Sequence, residues 1–209
     1  MKRQWMLFWV LCAALLLTAC GGNQGENTRE YLEILQSGSY YLTANGSYEG
    51  NYYLVEEAVQ DGNFNIAYRN ANDSNFRYLY RDGVMYRYLL GIEIYAVADE
   101  YVPDDALIGN MIDYDYSTAR YAGHDKQTVL GVTYDYDIYT IEKYSGEEAS
   151  LYLYLSPEHD TLHAIAFPED SIMITVSQLS SEIPDDIFFE FPGSYQEVDY
   201  LQVESQPEI

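Results

Sequence analysis

Apolar and polar residues alternate with a period of two along most of the chain, and this pattern predicts β-strands. Within residues 151–155, leucines at every second position share one face of the strand, and Tyr152 and Tyr154 share the other. The segments that follow the pattern are residues 40–44, 52–60, 63–70, 76–81, 84–90, 92–97, 117–122, 128–143, 150–156, 162–167 and 171–179.

Turn signals join successive strands, which indicates antiparallel hairpins. The dipeptides Asn45-Gly46, Asp61-Gly62 and Asp82-Gly83 are typical of two-residue hairpin turns, and Ser145-Gly146 connects two later strands. We therefore expect a meander rather than the long crossovers that parallel strands require.

Two segments depart from the alternation and predict helices. Arg29–Gln36 has a broad apolar face, follows Thr28 as a candidate N-cap and precedes Gly38, a typical helix stop. Residues 106–112 form a second short helical pattern after Pro103. The expected fold class is mainly β (α+β): a single curved antiparallel sheet or half-barrel of about ten to eleven strands, with one N-terminal helix and one short mid-chain helix.

The first residues have the composition of a secretory signal. Lys2 and Arg3 precede an apolar run over residues 5–17, shorter than the roughly twenty residues of a spanning helix. The run ends in Leu17-Thr18-Ala19-Cys20, which resembles the lipobox of bacterial lipoproteins. The resemblance implies cleavage before Cys20, diacylglycerol on its thiol and a further acyl chain such as palmitate on the new N-terminus. A plain signal peptide or a signal anchor is the alternative.

These features divide the chain into four parts: a signal peptide (1–19), the lipidated Cys20 with a flexible tether (20–28), a β domain (29–200) and a loose acidic tail (201–209). Both tryptophans, Trp5 and Trp9, lie in the signal, as does Cys12. Because Cys20 would carry lipid, the domain would have no disulfide and would depend on its core for stability.

Charge and composition narrow the function classes. The formal net charge is −24, from 34 Asp and Glu against 10 Lys and Arg. Such a chain repels phosphate groups, which argues against nucleic acid as a partner. The 24 tyrosines leave two interpretations open. They are either strand-forming residues on the wet face of the sheet or the lining of a groove or cavity.

Candidate chemistry is sparse, so we expect no enzyme, no cofactor and no metal site. The sequence has no nucleophile-elbow, dinucleotide-binding or P-loop motif. His124, His159 and His163 are expected in surface loops. Asp135 and Asp137 are expected on a solvated strand face, because the glycine and distal glutamate of a calcium loop are missing.

Four arginines lie close together in the sequence: Arg69, Arg77, Arg81 and Arg87. Pairing with acids across strands is the simpler interpretation. A site for an anionic headgroup or a carboxylate ligand is the alternative.

The order of elements resembles one known superfamily. The chain contains, in order, the lipobox, the helix, the meander, a strand beginning Gly131-Val132-Thr133-Tyr134 and a late phrase, Ile183-Pro184-Asp185 followed by Phe188 and Pro192-Gly193-Ser194-Tyr195. This order and these motifs are similar to those of lipoprotein carriers of the LolA/LolB/LppX type. The resemblance covers residues 29–196. It implies an incomplete antiparallel barrel of about eleven strands, lidded by helices, around an apolar cavity that holds acyl chains.

We therefore expect a lipoprotein of the bacterial cell envelope, anchored on the extracytoplasmic face of the membrane through Cys20. Its expected function is to bind a lipid-like hydrophobic or amphipathic ligand, or an envelope protein partner, without catalysis. The alternative is a surface module that engages protein or glycan with a tyrosine-rich sheet face. The ligand-binding residues are not identifiable from the sequence.

Overall fold

The computed structural model describes residues 26–48, 51–69, 76–98 and 114–204. The helices in these ranges are α1 (Arg29–Gln36) and α2 (Tyr200–Glu204), with one 3-10 turn at Pro168–Asp170. The strands are β1 (Ser39–Tyr48), β2 (Asn51–Gln60), β3 (Asn63–Arg69), β4 (Phe76–Arg81), β5 (Val84–Leu89), β6 (Ile94–Val97), β7 (Tyr114–Val129), β8 (Val132–Lys143), β9 (Glu148–Leu155), β10 (Leu162–Phe167), β11 (Ile172–Ser180) and β12 (Gln196–Glu197).

The strands form one open sheet in the order β12-β6-β5-β4-β3-β2-β1-β11-β10-β9-β8-β7. Neighbours pair antiparallel except β12 and β6, which are parallel. The predicted mainly β fold with a single curved antiparallel sheet is confirmed. The strand count is higher than predicted, at 12 within the described residues. The additional strand is β12, whose two residues are too few to show a periodic pattern.

One of the predicted Asx-Gly turns is wrong. Asp61-Gly62 and Asp82-Gly83 do form hairpin turns, with positive φ angles of 51° and 79° and of 52° and 83°. Asn45-Gly46, in contrast, lies inside β1 and pairs with β2 on one side and β11 on the other. Two ladders of hydrogen bonds hold this central strand extended, and they override the local turn preference.

The predicted long strand over residues 128–143 is also wrong. It contains the end of β7, a tight turn at Leu130 and Gly131, and all of β8. The φ angles of Leu130 and Gly131 are 51° and 83°. Leucine rarely adopts a positive φ, so of the two turn residues only Gly131 is of a type that predicts such a turn from the sequence.

Helix α1 shows how strongly the sheet curves. It contacts β1 and β11 and also the edge strand β7. In a flat sheet β1 and β7 would lie roughly 24 Å apart, five strand spacings. One eight-residue helix reaches both because the sheet curls around it. We call the face that α1 covers the inner face and the opposite one the outer face. Fully buried inner-face residues include Leu42, Ile66, Leu151, Leu153 and Phe167.

The C-terminal segment packs on both faces of the sheet near β5. Phe188 and Phe191 place their rings 5.0 and 5.6 Å from that of Tyr88. Val203 of α2 is buried with Leu89, which follows Tyr88 and points to the opposite face. Residues 201–204 therefore belong to the domain, whereas the sequence suggested that a loose tail begins at residue 201.

Several predicted features lie outside the described residues: the signal peptide, Cys20 and the mid-chain helix at 106–112. Neither of the two described helices combines the length and the apolar character that a bilayer crossing needs.

Candidate functional site

A cavity of about 740 Å³ lies at the end of the sheet where the β2–β3, β4–β5 and β8–β9 turns meet the end of α1. Its apolar lining includes Leu35, Val59, Phe64, Met85 and Ala98. Its tyrosine lining comprises Tyr40, Tyr80, Tyr114, Tyr116 and Tyr144. The volume lies within the range of about 300–1,000 Å³ that is typical of small-molecule sites, which also combine apolar walls with a few polar groups.

Glu57 is a fully buried carboxyl group beside this cavity. Tyr53, Val55, Glu57 and Val59 occupy alternate positions of β2, so they share its inner face, and Val59 lines the cavity. The Glu57 Oε1 atom accepts a hydrogen bond of 2.7 Å from the hydroxyl of Tyr40, but Oε2 has no hydrogen-bond partner. Burial raises the pKa of Glu57 to about 7, although the Tyr40 hydrogen bond acts in the opposite direction.

Tyr116 carries a second buried polar atom without a partner, its hydroxyl oxygen. Its ring lines the cavity from β7. Burial raises the pKa of Tyr116 well above its usual value, and the negative charge of Glu57 raises it further. The same two causes raise the pKa of Tyr40. Both tyrosines therefore keep their protons at neutral pH, and the Glu57 carboxyl is the group here that changes charge.

Among the residues that the structure describes, the other charges near the cavity are a carboxylate and an ion pair. Asp115 is part of the lining, and its Oδ1 accepts hydrogen bonds from the backbone N–H and the hydroxyl of Ser117. The Lys143 ammonium lies 5.5 Å from the ring centroid of Tyr114 and donates a hydrogen bond of 2.8 Å to Asp170. Because this cation is balanced by Asp170, the described residues give the cavity the negative charge of its carboxyl groups.

Asp137 is a second fully buried carboxyl group, and it fixes the start of α1. Its Oδ2 accepts hydrogen bonds from the backbone N–H and hydroxyl of Thr28, at 2.8 and 3.0 Å. Thr28 thus precedes α1 as predicted, but its hydroxyl bonds to Asp137 instead of capping the helix. The hydroxyls of Thr28 and Tyr139 also lie 2.9 Å apart. The prediction of a solvated strand face is wrong for Asp137.

The histidines differ from the expected surface loops in two of three cases. His124 lies on β7, where its ring bridges Asp137 and Asp135 at 2.9 and 3.1 Å. His163 lies on β10, and its ring stacks on that of Tyr134 at 4.9 Å. His159 is 73% exposed, as predicted. Within the ranges that the structure describes, no three His, Cys, Asp or Glu side chains are grouped to hold a metal ion.

The outer face carries a separate group of aromatic rings, which we call the outer tyrosine patch: Tyr134, Tyr136, Tyr152 and Tyr154. The ring of Tyr136 stacks on those of Tyr152 and Tyr154 at centroid distances of 5.2 and 4.6 Å. A groove of about 510 Å³ runs along this patch and is also lined by Lys126 and Met173. The predicted alternation in β9 is confirmed, because Leu151 and Leu153 are buried in the inner core, whereas Tyr152 and Tyr154 belong to the separate outer group.

Of the four arginines, Arg77, Arg81 and Arg87 have separate partners and do not converge on one site. Arg77 pairs with Glu56, and Arg81 lies 3.2 Å from Asp82. The guanidinium of Arg87 instead lies 3.6 Å from the ring centroid of Phe76 and donates to the hydroxyl of Tyr200. The prediction of cross-strand pairing with an acid thus holds for Arg77. The described residues do not form an anion site from this cluster.

The sequence reasoning missed Glu57, although a signal for it was present. The inner-face parity set by Tyr53, Val55 and Val59 includes position 57, so an acid in that series falls on the buried side. The sequence does not group Glu57 with its partner Tyr40 and with Tyr116, because the two tyrosines lie on β1 and β7, which only the curvature of the sheet brings together.

Comparison with known proteins gives weak structural likenesses only. No protein-family model and no curated protein matches the sequence. An uncharacterized conserved protein from Thermus thermophilus overlaps 83% of this chain and 99% of its own, at 11% identity and a TM-score of 0.43. MucB overlaps 83% of this chain and 66% of its own, at 12% identity and a TM-score of 0.36.

A complex of Pseudomonas aeruginosa MucA and MucB overlaps 81% of this chain and 62% of its own, at 14% identity and a TM-score of 0.37. The chain thus spans about two thirds of the MucB chains it resembles. All three TM-scores lie below 0.5, so no step of the functional argument rests on these likenesses.

Proposed function

We propose that this chain is a lipid-anchored protein of the bacterial envelope that binds an apolar or amphipathic small molecule in the inner-face cavity and does no chemistry on it. The observation that carries the proposal is the cavity of about 740 Å³ beside α1. Its walls are mainly aliphatic and aromatic side chains, and an apolar ligand gains free energy when such walls remove it from water.

The polar groups near the cavity support binding better than catalysis. The one serine hydroxyl in the described lining is that of Ser117, and its acceptor Asp115 also accepts the backbone N–H of Ser117, as in a local turn. No histidine or lysine among the described lining residues lies beside that hydroxyl as a base. The carboxyl of Glu57 and the hydroxyl of Tyr116 are suited to fixing the orientation of a ligand whose remaining surface is apolar.

The anchor part of the proposal rests on the sequence around Cys20. The thiol is the group that would receive diacylglycerol, and a serine hydroxyl would not replace it. Cys20→Ser should therefore remove the diacylglycerol mass from the protein and its partition into detergent. A mutant that keeps both properties would show that the anchor is elsewhere.

Binding can be tested with the neutral apolar dye N-phenyl-1-naphthylamine. The chain from Gly21 onward is suitable, because every residue of the described core lies between Thr28 and Val203. We expect saturable fluorescence enhancement with one site per chain. Val59→Trp, which adds bulk to the cavity wall, should weaken binding by about tenfold or more.

The matched control is Met173→Trp, which places the same bulk in the outer groove, where Met173 is 47% exposed. This variant should bind the dye as the parent chain does. Equal weakening by both substitutions, or no saturable binding by the parent, would contradict the assignment of the cavity as the ligand site.

The outer tyrosine patch supports a second candidate function, a binding surface for protein or glycan. Its stacked rings and adjoining groove are the observation that favours it. Tyrosine supplies large contact area with a polar tip, and this combination is common at interfaces. Tyr152→Ser should then abolish a pull-down interaction with envelope extract while leaving dye binding intact. An interaction that survives this substitution would exclude the patch.

A further inference from the structure

Two polar atoms beside the cavity differ from almost all buried polar atoms because they have no hydrogen-bond partner. They are Oε2 of Glu57, in a side chain that is 0% exposed, and the hydroxyl oxygen of Tyr116, which is 7% exposed. Buried polar groups without a partner destabilise a fold, and native proteins keep few of them. Tyr116 lines the cavity, and Glu57 is hydrogen-bonded to a second lining residue, Tyr40, so a polar group of a ligand that reaches behind these two tyrosines is a shared explanation for both atoms.

The electrostatics of the site favour a cationic group on that ligand. The chain has 34 acidic against 10 basic residues, and its field therefore attracts cations and repels anions. Around the cavity, Glu57 and Asp115 are acidic, and the nearby Lys143 is paired with Asp170. A carboxylate or phosphate group on the ligand would meet repulsion from these acids.

The tyrosine lining supports the same choice. The negative face of an aromatic ring attracts an ammonium group, and cages of several rings are a recurrent way to bind organic cations. The rings of Tyr40, Tyr114 and Tyr116 line the cavity, and the hydroxyl of Tyr40 donates to Glu57. The aliphatic walls formed by Leu35 and Val59 leave room for an apolar chain attached to the cation.

We propose that the cavity binds an alkylammonium compound, an apolar molecule with one protonated amine, whose N–H group donates a hydrogen bond to Oε2 of Glu57 and whose chain packs on the apolar walls. This inference rests on the proposed function of the cavity and names the ligand class. The ammonium also supplies a counter-charge to a buried carboxylate, which costs free energy when it is unpaired.

Three probes of equal chain length separate the alternatives: dodecylamine, 1-dodecanol and dodecanoate. Each is titrated against the chain from Gly21 onward with bound N-phenyl-1-naphthylamine as the reporter, below the concentration at which the probe forms micelles. We expect dodecylamine to displace the dye at a concentration at least about tenfold lower than dodecanol, and dodecanoate to be the weakest. This selectivity tests the inference without any substitution.

Glu57→Gln removes the charge while preserving the shape of the side chain. We expect it to weaken dodecylamine binding by about tenfold or more and to change dodecanol binding by less than about threefold. The matched control is Glu56→Gln, one residue away on the outer face, where the side chain pairs with Arg77. It should leave the ranking and the affinities of the three probes unchanged.

The outcomes distinguish the inference from the proposed function. If the dye binds but dodecylamine and dodecanol displace it equally well, the alkylammonium assignment is overturned and the cavity remains an apolar site. The same conclusion follows if the preference for the amine survives Glu57→Gln. Absence of binding by the dye and by all three probes would overturn both. An amine preference that is lost in the Glu57→Gln variant and kept in the control would support both.

Discussion

Two fully buried carboxyl groups, Asp137 and Glu57, lie on the inner face of the same sheet with opposite surroundings. Asp137 uses both oxygens: one accepts two hydrogen bonds from Thr28, and the other contacts His124. Glu57 uses one oxygen, for Tyr40, and the other has no partner. Burial raises the pKa of Glu57 to about 7.

The difference indicates separate roles for the two acids. A buried carboxyl with a complete set of partners stabilises the part of the fold that it connects, here the start of α1 and strand β8. A buried carboxyl with a free oxygen beside a cavity lowers stability and retains the capacity to bind. The comparison predicts that removal of the two charges changes stability in opposite directions.

Removal of the Asp137 carboxyl should destabilise the fold more than any of the other substitutions. Asp137→Ala leaves the N–H and hydroxyl of Thr28 buried without acceptors, and it should lower the free energy of unfolding by about 3–5 kcal/mol in urea melts. Asp135→Ala is the control, because Asp135 is 38% exposed and should cost less than about 1 kcal/mol. Equal losses would mean that Asp137 does not hold the helix.

The next effect concerns Glu57 and depends on pH. The folded-state pKa of about 7 lies above the ordinary value of 4.5, so the unfolded chain loses this proton first as the pH rises. The contribution of Glu57 to stability is therefore fully present below about pH 4.5 and is lost as the pH rises through 7. Glu57→Gln should raise the free energy of unfolding by up to about 3 kcal/mol at pH 8, with little gain at pH 4.

Glu56→Gln serves as the control for this prediction. Its carboxyl accepts hydrogen bonds from Tyr41 and Arg77 on the outer face, so the substitution should destabilise the fold by about 1 kcal/mol. Thermal melts of both variants at pH 4, 6 and 8 would check the sign. Destabilisation by Glu57→Gln at pH 8 would show that the charged form of Glu57 is well accommodated.

The smallest effect compares two buried tyrosine hydroxyls. Tyr139 exchanges a hydrogen bond with Thr28, whereas the hydroxyl of Tyr116 has no partner. Tyr139→Phe should therefore cost about 1 kcal/mol, and Tyr116→Phe should be neutral or slightly stabilising. Urea melts of the two variants under identical conditions measure the difference. A loss for Tyr116→Phe as large as that for Tyr139→Phe would contradict the assignment of an unpaired hydroxyl.

The parts of the fold that the sequence predicted are those specified by local chemistry. Period-two alternation identified the inward side of β9, and the Asp-Gly dipeptides at 61–62 and 82–83 located two turns. The errors occur where distant contacts override local preference, as at Asn45-Gly46 inside a central strand. At Leu130 the turn uses a residue that rarely adopts its conformation.

The site was less accessible to sequence reasoning because it is assembled from distant segments. Strand parity places Glu57 on the buried face, but it does not show that Tyr40 and Tyr116 meet there. That meeting depends on how far the sheet curls around α1. The same limit applies to Asp137. Its partner Thr28 is distant in the sequence but adjacent in the structure.

Native mass spectrometry of the chain from Gly21 onward, incubated with dodecylamine, shows whether the inner-face cavity is a ligand site. We expect a complex with one ligand per chain for the parent and for Met173→Trp, and none for Val59→Trp at the same concentrations. A complex of equal abundance in all three chains, or a parent chain that forms no complex, would show that the cavity is not the ligand site.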